Sequence, residues 1–272
     1  MNAAIPFEQY RRIGAVHWST LKEMNRSPLH YKWALENDRK DTPALMKGRA
    51  AHTAILDPDN FLRHYVLCPL KDRRAKGFKD FSRVHAGKTI LFEKEYQTAL
   101  NIRDAVRAHP EASRLLLGGE KEKTITWTDP DTGLKCKSRL DYLGRRLGDL
   151  KTARSVDRRA FANAVVAYQY HGQMAMYRDA VMSTEGRIPD EVFIVAVESN
   201  PPHDVAVFML GDEEIERGLM IYKAYMQRVK ECTADGHWPG RYPERESLML
   251  PAWAYDDETD DNGELQVEVI SG

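Results

Sequence analysis

The 272-residue chain balances 40 basic against 41 acidic side chains, with 42% hydrophobic and 30% charged residues, the make-up of a globular protein with a sizeable core. No apolar run approaches the roughly 20 residues that a membrane helix needs, and MNAAIPFEQYRR lacks the apolar stretch of a secretory signal. Cys68, Cys136 and Cys232 stand far apart without a Cys-x-x-Cys pair, which argues against a disulfide framework or a metal cluster and for free thiols in a reducing cytoplasm.

In chain order, helical periodicity covers 19–37, interrupted at Pro28, and 44–57, closed by Pro58. Residues 69–86 carry many bases without a clear period and are predicted to form a loop. A helix is expected over 88–108, ended by Pro110. The centre then changes character. Residues 122–127 alternate and are rich in β-formers, Asp129-Pro130-Asp131-Thr132-Gly133 is a turn signal, and 134–143 read as the return strand. A tight connection at 144–146 leads into a strand over 147–152, completing a three-stranded meander. A long helix over 157–182 follows, with Ser155 or Asp157 as its cap, then strands at 191–199 and 204–210 around a Pro-Pro turn, and a helix over 212–231. This order predicts an α/β (α+β) domain, a mixed central sheet flanked by helices, spanning residues 1–255. From Asp256 onward the chain holds seven acids and no base, so the body carries a formal +6 while the whole chain carries −1. The tail reads as a solvated end with too little apolar surface to offset ordering entropy. A basic body suits a partner with a phosphate backbone, although many soluble proteins are polarised this way without one.

Asp149-Leu150-Lys151 sets a carboxylate and an ammonium on one face of a predicted strand, about 6–7 Å apart. Asp141 lies near the end of the preceding strand, so a tight turn at Gly144 lets the two acids converge. Two carboxylates and a lysine at one sheet edge suit metal-assisted phosphodiester hydrolysis. Carboxylates bind hard cations such as magnesium, and the lysine orients water or stabilises developing negative charge. On its own, Asp-x-Lys is most often a strand with alternating surface charges.

The surroundings are more specific. The run Lys135-Cys-Lys-Ser-Arg-Leu-Asp141, then Gly148-Asp-Leu-Lys-Thr152, then Tyr170-His-Gly-Gln-Met-Ala-Met-Tyr177 resembles the phage and prophage recombination exonucleases, RecE-like and more distantly lambda-exonuclease-like, of the PD-(D/E)XK superfamily. Gly48-Arg-Ala-Ala-His52, His237-Trp-Pro-Gly240 and Leu250-Pro-Ala-Trp253 extend the likeness over roughly residues 12–253. The resemblance implies a restriction-endonuclease-like core in which Asp141 and Asp149 bind metal, Lys151 is the motif lysine, and the Leu150 carbonyl is a further ligand. Arg139-Leu140-Asp141 departs from the Pro-Asp of the motif name but keeps the acid. His52 matches a helix-borne metal ligand; without the family it reads as a half-buried helix histidine. Gln173 and Tyr177, four apart on one helix face, match a Gln-x-x-x-Tyr motif that grips a phosphate or positions the lysine. Glu122 sits near an acid seen in some members, in a bridging or supporting position.

The segment from Arg12 to Ser19 is similar to one that contacts a 5′-terminal phosphate in the lambda enzyme. The alternative is a surface arginine and a helix-capping serine. Arg73, Arg74, Lys76 and Lys79, with Phe78 and Phe81 between or beside them, form either a DNA-contacting segment or a plain solvated loop. Gly87-Lys88-Thr89 is not a phosphate loop, because Ser82 replaces the first glycine. The resemblance further implies ATP-independent 5′→3′ digestion of linear duplex DNA to mononucleotides, leaving 3′ single-stranded tails. It implies Mg2+ (two ions, with Mn2+ as substitute), a trimeric or tetrameric ring, a single-strand-annealing protein as partner, and a bacterial cytoplasm with phage or prophage origin. The alternatives are a RecB-like or Cas4-like single-strand nuclease, the latter disfavoured by the cysteine count, and a non-catalytic DNA-end-binding protein.

Overall fold

The structure is a computed structural model that describes residue 5 and residues 7–37 and 42–255; the acidic tail lies outside the described residues. The chain begins with α1 (Phe7–Arg12), α2 (Trp18–Leu21), a 3-10 turn (Lys22–Asn25) and α3 (Pro28–Glu36). There follow α4 (Pro43–Leu56), α5 (Pro58–His64), β1 (Tyr65–Cys68), α6 (Phe78–Val84), β2 (Thr89–Phe92), α7 (Glu93–Ala108) and α8 (Pro110–Leu115). The central meander is β3 (Glu120–Thr128), β4 (Lys135–Leu143) and β5 (Leu147–Ala153). Then come α9 (Arg158–Ala167), α10 (Tyr170–Glu185), β6 (Val192–Glu198), β7 (Val205–Leu210), α11 (Asp212–Asp235) and a 3-10 turn at Ala252–Tyr255.

The five-stranded sheet runs β3-β4-β5-β6-β7, antiparallel except for the parallel β5–β6 pair, as a mixed sheet predicts. Both faces of β6 are covered. Val192, Ile194 and Ala196 join the core formed with α10 and α11, where Met174, Tyr222 and Met226 are buried. Phe193, Val195 and Val197 join Ile55 of α4, Ile102 of α7 and Leu115 of α8 on the other side. Each central residue therefore has an apolar neighbour above or below, which explains the continuous apolar run of β6.

Four expectations need correction. Pro58 and Pro110 do not simply end helices; each opens one at its first turn, where the missing N–H costs nothing, and the Asp57 carboxylate and His109 imidazole cap the new starts. The expected helix from 88 starts only at Glu93, because Thr89–Phe92 is a β-branched and apolar run that pairs in parallel with β1. The expected loop over 69–86 contains α6. The single helix over 157–182 is two, broken at Gln169, whose φ of 55° cannot continue a right-handed helix.

α10 and α11 touch backbone to backbone. A methyl group on Gly218 would sit 2.2 Å from the His171 carbonyl oxygen. Gly218→Ala is expected to lower stability by about 1–3 kcal/mol in urea denaturation despite alanine's better helix propensity. Unchanged stability would mean that the two helices separate freely.

Candidate active site

The site originates where β4 leaves β5. The two strands pair only at Tyr142↔Gly148 and Leu143↔Leu147, then diverge. Further along, β4 takes a different neighbour: Val16 bridges to Cys136, donating to the Lys135 carbonyl and accepting from the Lys137 N–H. Between these two pairings β4 has an open edge at Arg139 to Asp141. Across the gap, the Leu150 N–H has lost its ladder partner, and Asp141 Oδ2 accepts from it at 2.8 Å. In a parallel strand a residue's C=O points to the same side as its N–H, so the Leu150 carbonyl also faces the gap.

Three elements bring further groups there. α4 lies close over β5, since a methyl group on Gly48 would meet Thr152 Oγ1 at 3.4 Å, and one turn later His52 Nδ1 stands 3.6 Å from Asp141 Oδ2. Glu122 lies on β3 opposite Asp141, in the step between Lys121↔Tyr142 and Lys123↔Leu140. Its φ of 55° is strained for a glutamate, a conformation that persists only where surroundings enforce it. Donor atoms of His52, Glu122 and Asp141 all lie within 4.8 Å of one another. From α10, Gln173 Nε2 donates to Asp149 Oδ1 (3.1 Å) and to the Tyr177 hydroxyl (2.8 Å), and Gln173 Oε1 accepts from Lys151 Nζ at 3.1 Å. Lys151 Nζ is 2.5 Å from Asp149 Oδ2 and 4.8 Å from the centre of the Tyr170 ring.

The charges are crowded and half out of water. Burial, then Asp149 and Glu122, push the Asp141 carboxyl well above the usual carboxylate range. Burial and the Lys151 ammonium hold His52 below the ordinary imidazole value, so it is a neutral ring suited to ligation. Burial pulls Lys151 down, but Asp149 and Asp141 outweigh it and its pKa is raised, leaving a firm ammonium. Burial raises the Tyr177 phenol, which stays neutral. An imidazole and carboxylates with excess negative charge fit a hard divalent cation. Asp149 Oδ2 is buried beside the Lys151 ammonium and adds a further carboxylate oxygen to the set.

The expected residues thus meet at one place: His52, Glu122, Asp141, Asp149, Leu150, Lys151, Gln173 and Tyr177. Sequence reasoning gave no role to Arg139, which pairs with Glu122, donates to the Ile5 carbonyl at 2.8 Å and lies 5.7 Å from the centre of the Phe7 ring. The strand period of two, which puts Arg139 on the face of Asp141, was the available signal. Lys137, again two residues back, is buried and donates to the carbonyls of Tyr10, Arg11 and Ile13, fastening the N-terminal segment along β4. Arg12 and Ser19 are exposed on that segment, with no bond to the acids among the described contacts. Arg73, Arg74, Lys76 and Lys79 are exposed on the connection from β1 to β2. Its aromatics are engaged internally: Phe78 stacks on Phe92 at 5.9 Å and Phe81 lies 4.4 Å from the His85 ring. Both rings are half-buried, and the bases around them are exposed.

The raised Asp141 pKa has a defined consequence for stability. The folded chain holds that proton more tightly than the unfolded chain, so stability falls as pH rises from the ordinary carboxylate range through the folded value. In chelator, Asp141→Asn is expected to raise Tm at pH 8 by roughly 2–4 °C, with the gain shrinking as pH falls toward about 4. A variant less stable than wild type at pH 8 would show that the carboxylate is not under electrostatic pressure.

Residues 17–248 match a family model described as a PDDEXK-like domain of unknown function (DUF3799). No curated protein sequence matches the chain. Among solved structures, the crystal structure of a "putative exonuclease" from Eubacterium rectale, at 2.19 Å resolution, superposes with a TM-score of 0.61. It covers 90% of this chain and 93% of its own at 15% identity, which is a likeness of fold. Among the described residues, no helix is long and apolar enough to cross a membrane. With the splayed strands, the acids on either side of the gap and the family match over most of its length, the chain belongs to the PDDEXK-like DUF3799 family.

Proposed function

We propose that the protein is a divalent-metal-dependent DNA exonuclease. The observation that carries this reading is the joint placement of His52, Glu122 and Asp141 within mutual ligand distance, beside Asp149 and Lys151, in a gap between strands. The exonuclease name borne by the structurally similar Eubacterium rectale protein supports the same class of activity. These groups, with the Leu150 carbonyl as a further ligand, would hold divalent cations, which would supply Lewis acidity and charge neutralisation to a phosphodiester. Mg2+, two ions per site, is the proposed cofactor, with Mn2+ as substitute.

The chain's own groups do the rest. Lys151, kept as an ammonium, donates to a phosphate oxygen as negative charge grows there. Gln173 and the Tyr170 ring hold the lysine in that direction, and Gln173 is itself tied to Tyr177 and Asp149. The neutral His52 keeps a ring nitrogen free for the ion. The exposed bases Arg73, Arg74, Lys76 and Lys79 suit the DNA backbone, and Arg12 with Ser19 suits a 5′-terminal phosphate. In the full proposal, linear duplex DNA is digested 5′→3′ to mononucleotides without ATP, by a trimeric or tetrameric ring, leaving 3′ tails for a single-strand-annealing protein. Cys68, Cys136 and Cys232 are buried free thiols, which suits this reading better than an iron–sulfur single-strand nuclease.

Digestion of linear and covalently closed plasmid, with Mg2+ or with chelator, tests the class of activity. Loss of the linear form alone, only with the metal, is expected; cutting of closed circles or digestion in chelator contradicts it. Lys151→Ala and Asp149→Ala should each slow digestion on the order of 10²–10³-fold without unfolding the protein; full activity in either removes the site. Arg12→Ala should shrink the preference for 5′-phosphorylated over 5′-hydroxyl ends by roughly tenfold. Equal slowing on both ends would reject a phosphate contact.

A further inference from the structure

An aromatic row leads from the core to solvent past the lysine. Phe161, buried on α9, is 6.3 Å from Tyr170; Tyr170 lies under Lys151 Nζ; and Tyr168 stacks on Tyr170 with centroids 5.6 Å apart and planes 27° off parallel. Tyr168 remains 57% exposed although one face of its ring is covered, so its other face looks into solvent. The break between α9 and α10 creates this geometry. A continued helix would send residues two apart to opposite sides, about 200° around the axis. Gln169 instead takes the left-handed conformation, and the rings on either side of it come together. Gln169 is buried and donates to the Tyr225 hydroxyl at 2.7 Å, which pins the break against α11.

We infer that Tyr168 is a base-stacking platform, taking the base of a nucleotide adjoining the scissile phosphate. The inference rests on the nuclease reading and adds the group that receives the unpaired base. The distances fit: the Tyr168 ring lies within about 10 Å of Lys151 Nζ, comparable with one nucleotide's reach from phosphate to base. Every base has a π-face, so a tyrosine there grips any sequence, as an exonuclease requires. Arg154, Arg158 and Arg159 are exposed on the link from β5 into α9, a basic flank for the same strand's phosphates.

The test is binding of a fluorescent linear duplex to the full-length protein in Ca2+, read by anisotropy without turnover, followed by digestion in Mg2+. Two duplexes are compared, one intact and one with an abasic residue at either nucleotide flanking the scissile bond. Wild type is expected to bind the abasic duplex roughly 5- to 100-fold more weakly. Tyr168→Ala should bind the intact duplex that weakly and lose the discrimination, whereas Tyr168→Phe should keep both. Tyr168→Ala that retains wild-type discrimination overturns the platform, even if the enzyme digests DNA normally. A wild type that binds both duplexes alike also overturns it. A wild type that discriminates in binding but never digests would refute the nuclease reading and leave the stacking site supported.

Discussion

Two strands that should stay paired separate after two residues, and the chemistry of the molecule depends on that separation. An unpaired strand edge exposes backbone donors and acceptors that must be satisfied. Here Asp141 satisfies one directly, through the Leu150 N–H, and is thereby fixed at the mouth of the gap. The same opening admits His52 from α4 on one side and leaves Asp149 and Lys151 facing α10 on the other. Three acids then share a small, poorly hydrated space. Their mutual repulsion is opposed by Lys151, which pairs with Asp149, and by Arg139, which pairs with Glu122. A divalent cation is the natural addition to such a set, because it relieves repulsion that the fold alone maintains.

The rest of the structure holds the gap open at a fixed width. At one end, the short β4–β5 pairing requires Gly148, where any methyl group would enter the Phe193 ring. At the other, Val16 occupies the β4 edge and Lys137 binds three carbonyls of the N-terminal segment. α10 supplies Gln173 and Tyr177 from a helix pressed against α11 at Gly218 and against Trp18 at Gly172, so these side chains approach from a rigid support. Glu122 shows the cost of the arrangement: in the position opposite Asp141 its backbone is held in a left-handed conformation.

Much of this was legible in the residues. The period of two in Asp149-Leu150-Lys151 placed both charges on one face, and the spacing of Gln173 and Tyr177 placed both on one turn of helix. The meander and the strands after it lie within a residue or two of their expected ends, because alternation and turn residues are local signals. What could not be read is non-local. Nothing in Thr89–Phe92 alone announces a parallel partner 24 residues earlier. Pro58 and Pro110 end one helix and begin the next, and a proline at a boundary supports either outcome. The left-handed Gln169 has no signature, as glutamine usually continues a helix. Nor does the sequence around Arg139 announce a role for it, whereas the fold makes it the counterion of Glu122 and an anchor for the N-terminal segment.

Whether the gap holds metal can be seen in a crystal of the protein soaked in Mn2+ and measured for anomalous scattering. A peak is expected in the gap between β4 and β5, coordinated by Asp141 with His52, Glu122 or Asp149 and the Leu150 carbonyl, with displacement of at least one of the acids from its lysine or arginine. An empty gap at saturating metal, with the acids still paired to Lys151 and Arg139, would contradict it.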